Sequence, residues 1–402
     1  MKTAEPLNEG VQLGTPAYRR INLALFCAGF VTFVTLYDVQ PLLPLFAREF
    51  NVVPAVASLP LSISTAALAF GMLLAGTVSE SIGRRPLMAA ALMLTSLLAL
   101  LTLFSHSFPS LLLLRLVQGL VLAGIPSVAM AYLGEEMDAR SIGSATGLYI
   151  SGNAMGGMTG RIGSAFLCDY FPWQTSIALI GIISLGLSLV FLRCLPPSVN
   201  FRRRPFQVGY LFSSLYQQLR DPGLLCLYGF AFLSMGGFIS LYNYIGFRLL
   251  APPYNLSQFS VSLIFLVYLL GSFSSGVVGS LINRFGRPFM IRMTLSTMLA
   301  GTLITLATPL PLIVFGVGIF TCGFFSAHAI ASSWVGRRAK TGKARASSLY
   351  LFCYYQGSTI SGTLGGMFWQ HFGWHGVAAM ISLLLLAAFW VSTLLLRLPT
   401  SE

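Results

Sequence analysis

Twelve apolar stretches, each long enough to cross a bilayer, leave this 402-residue chain few ways to fold. A spanning helix needs about 20 mostly apolar residues. In hydrocarbon, only helices or closed barrels satisfy every backbone N–H and C=O. The stretches run over 21–45, 56–79, 86–105, 110–132, 142–167, 173–194, 223–248, 258–282, 288–307, 311–334, 344–368 and 376–397. Charged residues make up 9% of the chain, against roughly 25% in a soluble domain. The expectation is an all-α membrane protein with twelve transmembrane helices. The polar start runs to Arg20, and the apolar stretch after it is too long for the core of a cleaved signal, so it reads as the first span.

The net charge of +13 invites a nucleic-acid reading, but its distribution argues for a membrane. Place the N-terminus in the cytoplasm and let each stretch cross once. All but four of the 24 Lys and Arg then fall on cytoplasmic segments. Arg48 and Arg248 lie outside, and Arg115 and Arg161 lie within spans. This is the positive-inside asymmetry. It orients both termini to the cytoplasm and makes the lipid bilayer, not nucleic acid, the expected partner. The six cysteines lack C-x-x-C spacing and read as free thiols. Neither a cofactor nor a metal site is expected. There is no GxxxxGK[ST], and His106, His328, His371 and His375 lack H-E-x-x-H spacing. An enzyme is therefore not expected.

The chain repeats itself at half its length. Gly76, Gly83-Arg84-Arg85-Pro86 and Gly279, Gly286-Arg287-Pro288 recur at an offset of 203 residues, each group following an apolar stretch. Leu148-Tyr149 returns as Leu349-Tyr350, and Phe171-Pro172-Trp173 as Phe372-Gly373-Trp374, at an offset of 201. Such a period predicts two pseudo-symmetric six-helix bundles, 18–194 and 223–397. They are joined by a cytoplasmic linker, 195–222, and flanked by mobile tails, 1–17 and 398–402. The linker carries Arg202-Arg203-Arg204-Pro205 and then Phe206–Arg220, which reads either as a short interfacial helix or as a solvated connector.

Asp38 is the acidic residue that falls inside an apolar stretch; the other ten carboxylates lie in predicted loops or tails. A charged side chain near the bilayer centre costs roughly 2.5–3.5 kcal/mol on insertion scales and needs a partner or a water-filled cavity. Asp38, Arg115 and Arg161 share a depth on the external side of the midplane. We read Asp38 as the proton-binding residue, exchanging partners with Arg115 or Arg161 during transport; a static charge cluster is the plainer reading. At the cytoplasmic end, Gly76, Glu80, Gly83, Arg84 and Arg85, mirrored by Gly279, Asn283, Arg284, Gly286 and Arg287, read as a conformational latch. In it, Glu80 pairs with an arginine on a moving helix. A tight turn with charged anchors is the alternative.

The paired loops resemble the duplicated signature loop of the major facilitator superfamily. Arg115-Leu116-Val117-Gln118-Gly119 is similar to its R-x-x-Q-G element, and Gly152-Asn153-Ala154-Met155-Gly156-Gly157 to its antiporter element, with Asn153 where proline is usual. Gly160-Arg161 and Ser332-Ser333-Trp334-Val335-Gly336 resemble the wording of bacterial inner-membrane transporters in the drug:proton antiporter branch. Departures are Glu80 for the usual aspartate, Ser81 for arginine, and an acid three rather than four residues before Pro41. The resemblance implies rocking bundles with the fifth and eleventh helices at the seam. There, Gly152, Gly156 and Gly160, echoed by Gly357, Ser361 and Gly365, would allow sliding; ordinary static helix packing is the alternative.

Candidate cavity residues are Tyr37, Gln118, Tyr149, Asn153, Asn243, His328, Tyr354 and Gln356. The expected function is proton-coupled export of small, partly apolar compounds by a monomer in the bacterial inner membrane. The alternative is a sugar, siderophore or organic-anion carrier.

Overall fold

In hydrocarbon, a helix ends where the sequence supplies a cap or removes a donor, and these signals set the spans. The computed structural model describes residues 10–201, 203, 215–339 and 342–398. Among them are twelve spans. The first half holds α1 (Pro16–Glu49), α2 (Leu59–Ile82), α3 (Arg84–Phe104), α4 (Phe108–Glu136), α5 (Ile142–Cys168) and α6 (Trp173–Cys194). The second half holds α7 (Pro222–Leu250), α8 (Gln258–Phe285), α9 (Arg287–Ile304), α10 (Leu310–Arg338), α11 (343–372) and α12 (374–397).

The Thr15 hydroxyl starts α1 by accepting from the Tyr18 amide at 3.1 Å, and Pro16 fills the first helical position, where no N–H is needed. Ser107 and Ser110 close a reciprocal box at the start of α4. Gly83 and Gly286, with φ of 113° and 77°, turn the chain between α2 and α3 and between α8 and α9. Side chains with a Cβ resist that conformation. Gly373, at φ 56° and ψ −146°, separates α11 from α12.

Residues 10–15, read from the sequence as part of a mobile tail, are docked. The Val11 amide donates to Glu136 O at 2.8 Å, and the Asp138 amide and Ser141 Oγ donate back to Val11 O. The backbone donors and acceptors at the end of α4 give this segment a ladder to join. Residues 1–9 and 399–402 of the tails, and most of the Phe206–Arg220 stretch of the linker, lie outside the described residues; 215–219 are helical.

The glycine stripe does not lie at the seam. A Cβ on Gly152, Gly156 or Gly160 would run into the backbone carbonyl of Phe26, Phe30 or Val34, all on α1 of the same half. Gly357 likewise meets the carbonyl of Phe232 on α7. Small residues therefore weld α1 to α5 and α7 to α11 inside each bundle.

Contact between the halves comes from hydroxyl and amide side chains. Thr359 and Thr363 on α11 bond Ser62 and Thr65 on α2 at 2.9–3.2 Å. The Gln40 amide donates to Asn243 Oδ1 at 2.8 Å, and Gln258 donates to Pro41 O. Among the described residues, hydrogen bonds between the spans of the two halves all lie toward the external end.

At the cytoplasmic end, Asp221 caps α7, accepting from the Gly223 and Leu224 amides at 2.7 and 3.2 Å, and pairs with Arg338 at 2.7 Å. Partial burial would raise its pKa. The Arg338 guanidinium and the two amides outweigh this and hold the carboxyl below its usual range.

Gly156→Ala should lower stability by about 1–3 kcal/mol, because backbone cannot yield as a side chain can. Gly163→Ala, where a Cβ would meet nothing within 4 Å, should hold or slightly raise the melting temperature. Thermal unfolding in detergent compares them, and equal effects would refute the packing account. A depressed folded-state pKa gives stability above the unfolded value near 3.9 that is lost as pH falls through the folded one. Asp221→Asn should destabilise by about 0.5–1 kcal/mol at neutral pH, a difference that begins to close in unfolding measured below about pH 4.

Candidate functional site

The end of α1 is where the site is built. Regular α-helix stops at Tyr37, and a single 3-10 turn, Gln40–Leu42, precedes a second helical segment, Leu43–Glu49. Pro41 has no N–H to give the Tyr37 carbonyl, so the ladder breaks here. Arg115 of α4 fills the breach. It donates to Thr35 O at 2.8 Å and Leu36 O at 2.6 Å, and to Pro60 O of α2 at 3.3 Å. A guanidinium suits a helix C-terminus, where carbonyls lack partners and the dipole is negative.

Asp38 caps the same helix end and receives Arg115 Nη1 on Oδ1 at 3.1 Å. Asp38 is 0% exposed and Arg115 1%. The other carboxylate oxygen, Oδ2, is buried and takes no hydrogen bond. Gln118 Oε1 accepts from Arg115 at 2.7 Å, while its Nε2 is unpartnered. Gly119 lets α4 lie against the Ser64 carbonyl of α2, where a Cβ would collide. The R-x-x-Q-G residues thus form one device: a cap, its support and a close helix crossing.

Arg161 points elsewhere. Its Nε donates to Gln40 Oε1 at 2.6 Å and its Nη1 to Gly157 O at 2.7 Å. The guanidinium lies 3.9 Å from the Tyr37 ring centroid and 5.0 Å from those of Phe265 and Tyr268. Of the two arginines at this depth, Arg115 holds Asp38 and Arg161 does not. Depth was legible along the sequence; direction around the helix was not.

The remaining cavity residues divide between the halves. Tyr149 is buried with its hydroxyl unpartnered, and Asn153 presses Oδ1 against Gly29 of α1. Asn243 gives Oδ1 to Gln40 and leaves Nδ2 buried and unpartnered. His328 bonds the Tyr350 hydroxyl at 3.1 Å and packs at a tilt against the Tyr354 ring at 4.9 Å. Gln356 is half-buried, and its Nε2 has no partner.

The latch differs from expectation. Arg84 pairs with Glu135, at the end of α4, at 2.7 Å, and reaches Gly76 O and Ser79 Oγ. Arg85 donates to Leu192 O at the end of α6. Glu80 enters no ion pair among the described residues, because Glu135 faces Arg84 from within the same half. In the second half, Asn283 and Arg284 are exposed, and Arg284 covers the Phe285 ring. Gln40, Glu135, Phe265 and Tyr268 were missed by sequence reasoning. A glutamine within an apolar span, two residues from Asp38, was a usable signal for Gln40.

A family model, the Major Facilitator Superfamily, matches residues 22–355 and 249–402. The chain belongs to this superfamily. It is 49% identical over 387 residues to the uncharacterized MFS-type transporter YybF of Bacillus subtilis (strain 168), covering 96% of each chain. It is 46% identical over 390 residues to the inner membrane transport protein YnfM of Escherichia coli (strain K12), covering 97% of this chain and 94% of that one. The fold matches that of a bacterial homologue of the human lysosomal transporter Spinster, solved in an inward-facing and occupied conformation. The TM-score is 0.75 at 13% identity, over 96% of this chain and 98% of that one. As a superfamily member the chain is a multi-pass membrane transporter of small molecules, not an enzyme.

Arg115→Gln should cost about 3–5 kcal/mol by stranding a buried carboxylate and the α1 carbonyls. Arg115→Lys should recover only part of this, since a point charge cannot fork across Thr35, Leu36 and Pro60. Unfolding in a single detergent ranks the three proteins, and a lysine variant as stable as the parent would count against the capping role.

Proposed function

We propose that the chain is a proton-coupled secondary active transporter of the inner membrane, exporting small, partly apolar compounds as a monomer. The observation that carries the reading is Asp38: wholly buried, with one oxygen on Arg115 and the other unpartnered. A dry environment favours the neutral acid, and a guanidinium favours the anion. Moving the halves changes both, so proton binding follows conformation. When Oδ2 takes a proton, the attraction that holds Arg115 on Oδ1 weakens. When the proton leaves, the pair re-forms. External contacts between the bundles fit a state closed to the outside, with alternation opening the other side.

A second reading, an organic-anion carrier of the same fold, is favoured by Arg161, which is buried with no carboxylate partner among the described residues.

Asp38→Asn should abolish gradient-driven flux in everted vesicles and leave the protein folded. The cargo panel spans a lipophilic cation (ethidium), a neutral compound (chloramphenicol) and an aryl anion (2-naphthoate). A variant that moves any of them at the parental rate, with the same pH dependence, would remove Asp38 from the mechanism.

A further inference from the structure

We propose that Arg161 and the groups around it form the binding site for an organic anion with a flat aromatic body, such as an aryl carboxylate. This rests on the transporter reading above and names its cargo class. Arg161 is 2% exposed. Its assigned acceptors, Gln40 Oε1 and Gly157 O, are both neutral. Asp38, the acid at this depth, is committed to Arg115. A buried cation held by neutral acceptors and ring faces keeps a strong demand for negative charge.

Two groups around it add donors: Tyr268, whose ring faces the guanidinium, and Asn243, joined to Arg161 through Gln40. Asn243 is 2% exposed, and with Oδ1 taken by Gln40 it offers a buried, unpartnered Nδ2. Tyr268 is 8% exposed; its ring stands 5.0 Å from the guanidinium and its hydroxyl is unpartnered. A carboxylate only accepts hydrogen bonds, and its two oxygens match a guanidinium edge plus a neighbouring donor. A cationic cargo would meet repulsion undiminished by water.

The body of the cargo is named by the rings. From Tyr268 an unbroken aromatic run passes through Phe238, Phe324 and Tyr354 to His328, with centroid separations of 5.6, 3.8, 6.3 and 4.9 Å. Tyr354 and His328 are half-buried, so the run reaches accessible space. Phe238 and Phe324 are buried against each other, so the rings that offer a face to a flat apolar cargo are those of Tyr354 and His328.

The test uses three probes of one shape, 2-naphthoate, 2-naphthamide and 2-naphthylmethylammonium, added to the full chain in nanodiscs with no gradient. Naphthoate alone should raise the unfolding temperature, in a concentration-dependent way. Arg161→Gln should weaken its binding at least about tenfold, a loss of about 1.4 kcal/mol. Tyr268→Phe, which keeps the ring, should weaken it by a smaller factor. No stabilisation by naphthoate, an equal effect from the amide or ammonium probe, or unchanged affinity in a folded Arg161→Gln protein would overturn the proposal. Should Arg161→Gln fail to fold, Arg161→Lys and Tyr268→Phe decide, and unchanged affinity in both overturns it. Naphthoate binding without proton movement would sink only the coupling by Asp38. Gradient-driven flux with no preference for naphthoate would sink only the anion site.

Discussion

The grip of Arg115 on the broken end of α1 is the interaction on which the interior depends. Pro41 interrupts the helix within a hydrophobic span, on its external side, and interrupted backbone is tolerated within hydrocarbon only where protein supplies partners. Arg115 supplies them to Thr35 and Leu36 and ties the same point to Pro60 at the start of α2. Its charge then calls for a counter-charge, and Asp38, at the helix end, provides one. The ion pair is a poor source of net stability, because both charges lose their water. Its value is positional: it puts a carboxylate at one place, on one oxygen, with the other left over.

The halves contribute different chemistry to the centre. The first brings Asp38, Arg115 and Arg161, and the second brings rings and amides. Such a division suits a carrier, since a cargo that touches both halves experiences their relative motion. The bonds that join the halves externally are short and neutral: those of Ser62, Thr65, Thr359 and Thr363, with Gln40 to Asn243 and Gln258 to Pro41 O. Bonds of this kind contribute about 1 kcal/mol each and exchange readily for bonds to water. A seal made of them holds a state without locking it. The glycine contacts inside each bundle are of the opposite kind. Backbone against backbone cannot slide without loss of packing, so α1–α5 and α7–α11 move as units.

Much of this was legible in the sequence, for identifiable reasons. Hydrocarbon enforces length and apolarity, so the spans could be read directly. Charge in hydrocarbon is costly, so Asp38, Arg115 and Arg161 stood out. Two positive-φ turns made the duplication visible through Gly83 and Gly286. What depends on rotation about a helix axis was not legible. A line of glycines says that some backbone comes close, not that it belongs to α1 rather than to the other bundle. Depth placed two arginines beside Asp38, and azimuth chose one. Glu80 and Glu135 both lie at the cytoplasmic ends of spans, and only the packing of α4 against the α2–α3 turn settles which meets Arg84.

Gln40 joins these parts and shows why a polar residue without charge can matter as much as its charged neighbours. It stands two residues from Asp38, on the 3-10 turn made by the same break. One end of its amide accepts from Arg161, and the other donates to Asn243 across the seam. Parting the bundles externally must break the bond to Asn243, which frees the turn that leads directly back to Asp38. A cargo that takes a hydrogen bond from Arg161 Nε competes with Gln40 for it, whereas Asn243 Nδ2 is open without displacing Gln40. On the mechanism proposed above, cargo, proton and seal are linked through five residues of backbone, 38–42, with no need for a longer path through the protein.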